Sequence, residues 1–329
     1  MPFDTSKLVD NFGRQITTLR LSITDQCDLS CRYCRPQGCA SSPSADIMSW
    51  PELIRTVDIF SRLGITRIRI TGGEPFNRKG LLPFLSKVRA FFPGGLYLTT
   101  NGVRIAPQLA ELEKTGIDGI NLSLDTLDRE RFIHITGVDA LDGVLNTMIG
   151  ILDHRIPLKI NTVIMNGINT DDILSISQLA HLFPVQVRFI EEMLFTAKDY
   201  NRQKIFTARE IEKVLRHVYN DMNPVPASST TARMYRIRGF RGFVGIIAGH
   251  SRWFCTNCNR IRVTADGRVK TCLYAENGLS LKSLFRHGLS DAAIVTEIRR
   301  SLLSRPRNGF IAENQGSRRR TDNMSVIGG

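Results

Sequence analysis

Six short runs of alternating or β-branched apolar residues constrain the fold of this chain more than any other feature. They cover residues 17–24, 67–71, 95–100, 119–125, 158–165 and 185–192. Stretches with apolar residues at helical spacing separate them, such as residues 49–64, with Ser49 as N-cap and Gly64 at the end. Strands that alternate with helices predict an α/β fold with a parallel sheet and right-handed crossovers. Six units are too few for a closed eight-stranded barrel, so we predict a partial (β/α)6 barrel of the TIM type. A doubly wound sheet is the alternative.

The pattern changes after about residue 205. A predicted helix at 207–218 is followed by a loop rich in Pro, Ser and Thr, a glycine-rich apolar stretch and a second group of cysteines. With 329 residues, the chain is too long for one ordinary core unless that core is a barrel. We therefore predict a barrel domain over 1–205 and a C-terminal α+β module over 206–329, which covers the open side of the barrel.

Six of the seven cysteines form two groups. The first cysteine set is Cys27, Cys31 and Cys34, and the second cysteine set is Cys255, Cys258 and Cys272. The chain start shows no secretory signal, and no run of about 18 apolar residues predicts a membrane span, so a cytoplasmic protein is expected. In that compartment, grouped cysteines favour metal sites over disulfides. Cys39 remains as a structural thiol.

Each cysteine set is one ligand short of a closed tetrahedral site. One interpretation is zinc with a fourth ligand from elsewhere, and the second set taken alone favours it. The other is an iron–sulfur cluster with one iron left open for a ligand. The first set follows the first predicted strand, and TGGEP, TTNG, SLD and RFIEE follow later strands. Because the carboxyl ends of parallel strands carry the active site in such folds, these segments should converge on one face.

The order of these motifs resembles a known family. A C-x-x-x-C-x-x-C loop after the first strand, with GGEP after the second, is similar to the radical S-adenosylmethionine (radical SAM) superfamily. FCTNCNRIR, the later cysteine and the terminal MSVIGG narrow the resemblance to the GTP 3′,8-cyclases, the molybdenum cofactor biosynthesis protein A family. Two departures are Arg35-Pro36, where the family usually has Met-Pro, and EMLFTAKDY after RFIE.

The resemblance implies two [4Fe–4S] clusters, each bound by one cysteine set. The first would reduce SAM to a 5′-deoxyadenosyl radical, which abstracts the 3′ hydrogen of GTP before the ribose carbon attacks C8 of guanine. The product, (8S)-3′,8-cyclo-7,8-dihydroguanosine 5′-triphosphate, is the first intermediate of molybdenum cofactor (molybdopterin) biosynthesis, so the enzyme would be a lyase. The open iron of the second cluster would hold the guanine end of GTP.

The resemblance also implies binding residues by motif match. Those expected around SAM are Tyr33, Gly73, Ser123 and Met193. Those expected around GTP are Arg20, Arg69, Thr99, Lys159, Arg260, Ile261 and Arg262, with Arg188 as a further candidate. Arg260 and Arg262 join the first cysteine set as expected catalytic residues. The terminal Gly328 and Gly329 would thread into the barrel mouth beside both ligands.

Residue chemistry agrees with a nucleotide substrate. A triphosphate carries about four negative charges and needs several cations that meet its oxygens. Arg20, Arg69 and Lys159 lie on three predicted strands, and alternation places Arg67, Arg69 and Thr71 on one face. Gly72 and Gly73 would let backbone polar groups approach the methionyl ammonium of SAM.

The net charge of +13 leaves alternatives open. It suits an RNA-modifying radical SAM enzyme or a zinc-bearing nucleic-acid-binding protein, and a peptide-maturing radical SAM enzyme is another alternative. The Arg318–Arg320 cluster is typical of a solvated tail. Expected partners are GTP, an electron donor, a downstream pterin-forming enzyme and a second copy of the chain. Neither a membrane nor a nucleic-acid partner is expected.

The segment IRVTADGRVKTCL predicts a β-hairpin around Asp266-Gly267. A two-residue loop would turn Cys272 away from Arg260 and Arg262. A three-residue loop over 265–267 would pair Thr264 with Arg268, and hence Arg260 with Cys272, on the face of the arginines. We therefore predict the three-residue loop, with Gly267 in the left-handed conformation.

Overall fold

A computed structural model describes residues 7–34, 46–193, 205–226, 231–275, 278–315 and 324–327. Arg35, Cys39, Arg318–Arg320, Gly328 and Gly329 lie outside the described residues, so the predictions made for them are not tested by the structure.

The first six strands confirm the six predicted runs, with ends that differ by at most two residues. The structure has eleven strands among its described residues. In chain order they are β1 (Thr18–Ser22), β2 (Arg67–Thr71), β3 (Gly95–Thr100), β4 (Gly119–Ser123), β5 (Leu158–Ile164), β6 (Gln186–Glu191), β7 (Asn223–Val225), β8 (Arg233–Arg236), β9 (Phe243–Ile247), β10 (Arg260–Val263) and β11 (Val269–Lys270). All of them belong to one sheet, in the order β11-β10-β1-β2-β3-β4-β5-β6-β9-β8-β7. Strands β1 to β6 are parallel and follow one another in sequence order. Since a doubly wound sheet reverses its strand order, that alternative is wrong and the partial barrel is confirmed.

The C-terminal segment extends this sheet at both edges, which the sequence did not predict. Strand β9 pairs in parallel with β6, and β8 and β7 continue from it in antiparallel fashion. At the other edge, β10 pairs in parallel with β1, and β11 pairs antiparallel with β10. Residues 242 positions apart in the sequence, such as Arg20 and Arg262, therefore become neighbours on adjacent strands.

Among the described residues, seven α-helices connect the strands and four more follow the last strand. They are α1 (Trp50–Arg62), α2 (Leu81–Phe91), α3 (Leu109–Lys114), α4 (Arg129–Thr136), α5 (Leu141–Asp153), α6 (Asp172–Leu182), α7 (Ala208–Val218), α8 (Leu281–Arg286), α9 (Asp291–Leu303), α10 (Gly309–Gln315) and α11 (Met324–Ile327). Helix α1 begins at Ser49 as predicted, in a capping box with Glu52. Helices α2, α4 and α8 to α11 were not predicted; α2 lacks a side-chain cap, because Gly80 precedes it.

The two faces of the sheet differ in polarity, and this difference positions the site. In β2, Ile68 and Ile70 are fully buried in the hydrophobic core, while Arg67, Arg69 and Thr71 point into the barrel. Barrel interiors of this type are usually filled by branched apolar side chains. A barrel lined with arginines instead encloses a polar site.

Among the described residues, no single helix has both the length and the apolarity to cross a membrane. The consecutive helices α4 and α5 meet the two criteria only when they are taken together, and a bend of 101° separates them.

The β10–β11 hairpin has the predicted three-residue loop. Arg262 pairs with Lys270 and Val263 with Val269, and the Thr264 N–H donates to the Arg268 carbonyl over 3.0 Å. Gly267 has φ +85°, which confirms the left-handed conformation. The ladder ends at Lys270, where the chain bends, so the expected pairing of Arg260 with Cys272 does not form within it. Cys272 nevertheless lies on the arginine side, lining the same cavity.

Candidate active site

One cavity of about 310 Å³ lies inside the barrel and receives both cysteine sets. Its walls come from the interior faces of β1 to β6, the loops that follow them, and the C-terminal segment. The predicted convergence of the strand-end motifs on one site is therefore confirmed.

The first cysteine set lies in the loop after β1 and is anchored to helix α4. Backbone N–H groups of Ser30 and Arg32 donate to the carbonyls of Thr136 and Ile135, over 2.8 and 3.1 Å. Burial raises the pKa of the Cys31 thiol well above its usual value, and the nearby charges of Asp125, Cys34 and Cys27 raise it further. Three thiols this close repel one another as thiolates, so a bound iron cluster would supply the missing positive charge.

The GGEP segment packs directly on this loop. A Cβ on Gly73 would lie 2.2 Å from the Gln26 carbonyl oxygen, and one on Gly72 would lie 2.4 Å from that of Thr24. The Gly73 N–H donates to the Thr24 carbonyl over 2.8 Å. The glycines are therefore needed for close packing of backbone against the cysteine loop, a reason that differs from the approach to SAM that we predicted.

We expect Gly73→Ala to displace the cysteine loop. The added methyl group cannot fit 2.2 Å from a backbone oxygen, so the variant should lose about 2 kcal/mol of stability. Binding of SAM should weaken with it. The matched control is Gly143→Ala in helix α5, where the nearest atom to the new Cβ lies 3.9 Å away. Chemical denaturation and SAM titration of both variants test the expectation, which fails if Gly73→Ala matches the control.

Glu74 of the same motif organises the TTNG segment. Its carboxylate, almost fully buried, accepts hydrogen bonds from Thr100 Oγ1 and from the Asn101 and Phe76 N–H groups, over 2.9, 2.7 and 3.1 Å. Burial raises its pKa to about 7 despite these bonds. The Asn101 side chain then donates to Asp28, next to Cys27. Two strand-end motifs are thus joined to the cysteine loop.

Asp125, at the end of SLD, holds the aromatic residue of the cysteine loop. Its carboxylate accepts from the Tyr33 hydroxyl over 2.9 Å and from the Val163 N–H over 2.8 Å. Burial raises the pKa of Asp125 to about 6. Tyr33 and Ser123, both expected around SAM, line the cavity beside it.

Two arginines hold the backbone of the second cysteine set through hydrogen bonds. Arg14 donates to the carbonyl of Cys255 over 2.9 Å, and Arg305 donates to that of Cys258 over 3.0 Å. The fully buried carboxylate of Asp10 pairs with Arg14 over 2.6 Å and lies 3.4 Å from Arg305. Burial disfavours ionisation of the Cys258 thiol, but the charges of Arg260 and Arg305 lower its pKa to about 7.

No group of three or more His, Cys, Asp or Glu side chains in the described part of the chain is arranged to hold a metal ion as these side chains stand. The donor sets nevertheless suit iron–sulfur clusters, because each brings three thiols to the wall of one cavity.

Three arginines form a row across neighbouring parallel strands. Arg20 on β1 is in register with Arg69 on β2 and with Arg262 on β10, and we refer to these residues as the arginine row. Adjacent strands are about 4.8 Å apart, so the three charges repel one another strongly. Burial and neighbouring arginines lower the pKa of Arg20 well below its usual value, that of Arg69 to about 9 and that of Arg262 to about 10. Arg69 and Arg262 keep their charge at neutral pH, and a bound polyanion would relieve the repulsion within the row.

Several polar atoms on the cavity wall are buried without a hydrogen-bond partner among the described residues. They are Arg69 Nε, Thr99 Oγ1, Asn121 Oδ1 and Nδ2, Asn161 Oδ1, Arg188 Nε, and Arg260 Nε and Nη2. Buried polar groups are normally paired, so this set fits a polar ligand that the protein itself does not contain.

Most of the predicted site residues line the cavity, with two exceptions. Lys159 does not line it; its ammonium lies over the Tyr97 ring at 5.3 Å, where Arg67 also stacks. Ile261 is fully buried in the hydrophobic core, on the face opposite Arg260 and Arg262. Met193 lines the cavity and packs near Tyr274 and Cys272, on the side of the second cysteine set.

Sequence reasoning missed other residues of the site. They are Arg14, Glu74, Asn101, Asn121, Asp125 and Arg305. Glu74, Asn101, Asn121 and Asp125 lie within or beside motifs that the sequence already marked, so their positions at strand ends were an available signal. Arg14 and Arg305 carry no such signal.

Comparison with known proteins agrees with this geometry. Residues 21–180 match the Radical SAM superfamily, and residues 185–311 match the family described as Molybdenum Cofactor Synthesis C. The chain is 35% identical to a GTP 3′,8-cyclase of Clostridium perfringens strain SM101, over 90% of this chain and 93% of that protein. It is 36% identical to molybdenum cofactor biosynthesis protein 1 of Bos taurus over 88% of this chain, but spans only 47% of that longer protein.

The fold is also found in a solved structure. The crystal structure of Streptococcus suis SuiB bound to S-adenosylmethionine aligns with a TM-score of 0.59 at 14% identity, over 85% of this chain and 67% of that chain. This likeness concerns the fold alone. The sequence match over nearly the full length of the bacterial relative is the stronger result, and it places this chain in the GTP 3′,8-cyclase family of radical SAM proteins.

Proposed function

We propose that the chain converts GTP to (8S)-3′,8-cyclo-7,8-dihydroguanosine 5′-triphosphate in a SAM-dependent radical reaction, the first step of molybdenum cofactor biosynthesis. The observation that carries this proposal is the arginine row, which lines the same cavity as both cysteine sets. A zinc protein that binds nucleic acid would have its cations on an exposed surface instead.

The first cysteine set would hold a [4Fe–4S] cluster whose open iron binds SAM. When bound, the cluster and SAM supply a carbon-centred radical that removes a hydrogen atom from the substrate. Asp125 accepts a hydrogen bond from the Tyr33 hydroxyl and so fixes the Tyr33 ring. Gly73 allows the cysteine loop to pack close to β2. Tyr33 and Gly73 would thereby position SAM beside this cluster. Enclosure of the ligands within the barrel would keep bulk water away from a reactive radical.

The arginine row would bind the triphosphate, with Arg188, Arg260 and Lys159 as further cations. Arginine guanidinium groups suit phosphate oxygens because they donate two parallel hydrogen bonds. The second cysteine set would hold a second [4Fe–4S] cluster, with its open iron toward the guanine. The backbone clamp of Arg14 and Arg305 would keep this turn fixed.

We further propose the division into a barrel domain over 1–205 and a C-terminal module over 206–329, because β7 to β11 all derive from the later segment. An electron donor, a downstream pterin-forming enzyme, a second copy of the chain and a cytoplasmic location belong to the same proposal. The electron donor and the downstream enzyme follow from the chemistry, since the reductive cleavage of SAM needs an electron and the cyclised nucleotide must be consumed.

The direct test is anaerobic incubation with SAM, a reductant and GTP. We expect 5′-deoxyadenosine and a cyclised nucleotide to form together, in equal amounts. Iron and sulfide analysis of anaerobically prepared protein separates two clusters from zinc. Cleavage of SAM without any change in GTP would contradict the proposed substrate, and RNA added as a competitor would then be tested as the alternative.

Lys159 predicts a pH dependence of GTP binding. Burial, followed by the charges of Arg188, Arg69 and Arg67, lowers its pKa to about 7. A bound triphosphate favours the charged amine, so binding takes up a proton above pH 7 and the affinity for GTP should fall as the pH rises. The limiting slope is about tenfold per pH unit for one proton.

Titrations of GTP between about pH 7.5 and 8.5, where the phosphates are fully ionised and Arg69 is still mostly charged, measure this slope. The matched variant is Lys159→Arg, which stays charged over this range and should flatten the profile. The same slope in both proteins would show that Lys159 does not contact the phosphates.

A further inference from the structure

Asn121 is the most deeply buried of the cavity-wall residues with unpartnered polar atoms. The residue is 1% exposed, and neither its side-chain amide oxygen nor its amide nitrogen has a hydrogen-bond partner among the described residues. Burying an amide without partners is costly, and a wholly unpaired one facing a cavity indicates a ligand that completes it. The Asn161 amide oxygen nearby is unpartnered in the same way.

The register of the strands places this pair between the two halves of the site. Asn121 is in register with Thr99 on one side and with Lys159 on the other, both expected near GTP. Two residues further along the same face, Ser123 is expected near SAM and is in register with Asn161. Asn121 therefore lies two residues before Ser123 on the same strand, level with Thr99 and Lys159 on the neighbouring strands.

The chemistry of the unpaired groups selects the ligand. Asn121 offers both an acceptor and a donor, whereas phosphate oxygens at neutral pH only accept. A hydroxyl group can donate to Oδ1 and accept from Nδ2. At the junction of the two half-sites, the hydroxyl groups are those of a nucleotide ribose.

We propose that Asn121, with Asn161 beside it, binds the ribose hydroxyl groups of GTP and so positions the sugar from which hydrogen is removed. This inference rests on the proposed function. It assigns the two asparagines a positioning role, because hydrogen transfer requires the reacting carbon to be held at contact distance from the radical.

The test compares the binding of GTP, 2′-deoxy-GTP and 3′-deoxy-GTP to anaerobically purified protein without reductant. We expect the wild-type protein to bind at least one deoxynucleotide about tenfold more weakly than GTP, as for the loss of one buried hydrogen bond. In Asn121→Ala, GTP should bind about tenfold more weakly and the ratio should shrink to about twofold or less. The affinity for SAM should not change.

A stability measurement separates this role from a structural one. The unliganded Asn121→Ala protein should unfold at the same denaturant concentration as the wild type or a higher one, because no protein hydrogen bond is lost. The contrasting variant is Asn169→Ala, whose buried amide donates to the Asp125 and Val163 carbonyls. That variant should be less stable but keep the nucleotide ratio.

The outcomes are distinct. An unchanged ratio in Asn121→Ala, or a loss of SAM affinity in place of GTP affinity, overturns the inference and leaves the proposed function standing. A wild-type protein that does not bind GTP overturns the proposed function and the inference with it.

Discussion

Cys31→Ala should produce no 5′-deoxyadenosine. Cys31 is the central thiol of the first cysteine set, close enough to Cys27 and Cys34 for their charges to raise its pKa. With two thiols left, the site should not retain its cluster, and SAM then has no iron to bind and no source of an electron. The expected loss is complete, which makes it the largest effect among these predictions.

Two measurements accompany this variant. Its iron content should fall by about half if the second cysteine set keeps its own cluster, as expected for two [4Fe–4S] clusters. The matched control is Cys39→Ala, which should keep both iron and cleavage because Cys39 belongs to neither set. If Cys31→Ala still released 5′-deoxyadenosine, the assignment of the first cluster would be wrong.

Replacing both Arg260 and Arg262 with alanine should lower the affinity for GTP by about 3 kcal/mol, which is roughly a hundredfold. Both side chains line the cavity from β10, and Arg262 belongs to the arginine row. The change removes two charge-assisted donors from the expected phosphate site. SAM binding, which we expect to depend on the first cysteine set, should stay the same.

The control for this variant lies on the same hairpin. Arg268→Ala removes an arginine that is about half exposed and paired with Asp266, so it should bind GTP like the wild type. Iron analysis shows whether the second cluster survives, because Arg260 also lies beside Cys258. If the double variant kept both clusters and bound GTP as tightly as the wild type, Arg260 and Arg262 would not belong to the GTP site.

The sequence determined the local part of this fold. Strands β1 to β6 follow from runs of alternating residues, since a period of two allows one face to pack on helices and the other to face the barrel interior. Helix α1 follows from Ser49, Pro51 and the apolar spacing, because a cap and a periodic face are local properties. The register of the hairpin was predicted from the requirement that Cys272 and Arg262 share a side.

The sequence also determined which residue types form the site, because the cysteine sets and the GGEP, TTNG and SLD motifs are contiguous. It did not reveal why Gly73 is glycine, since the reason is a contact with the Gln26 backbone on another loop. Nor did it identify Ile261 as a core residue. Because Arg260 and Arg262 on either side of it face the barrel interior, Ile261 faces the hydrophobic core.

Only the tertiary structure decided how distant segments combine. Strand β10 pairs with β1, which brings Arg262 next to Arg20 across the sequence and completes the arginine row. Arg14 and Arg305 reach the second cysteine set from opposite ends of the chain. Pairing between β1 and β10 depends on the edge that the partial barrel leaves open, and on backbone hydrogen bonds that any residue can make. No local pattern encodes such a pairing, so it becomes visible only when the whole sheet has formed.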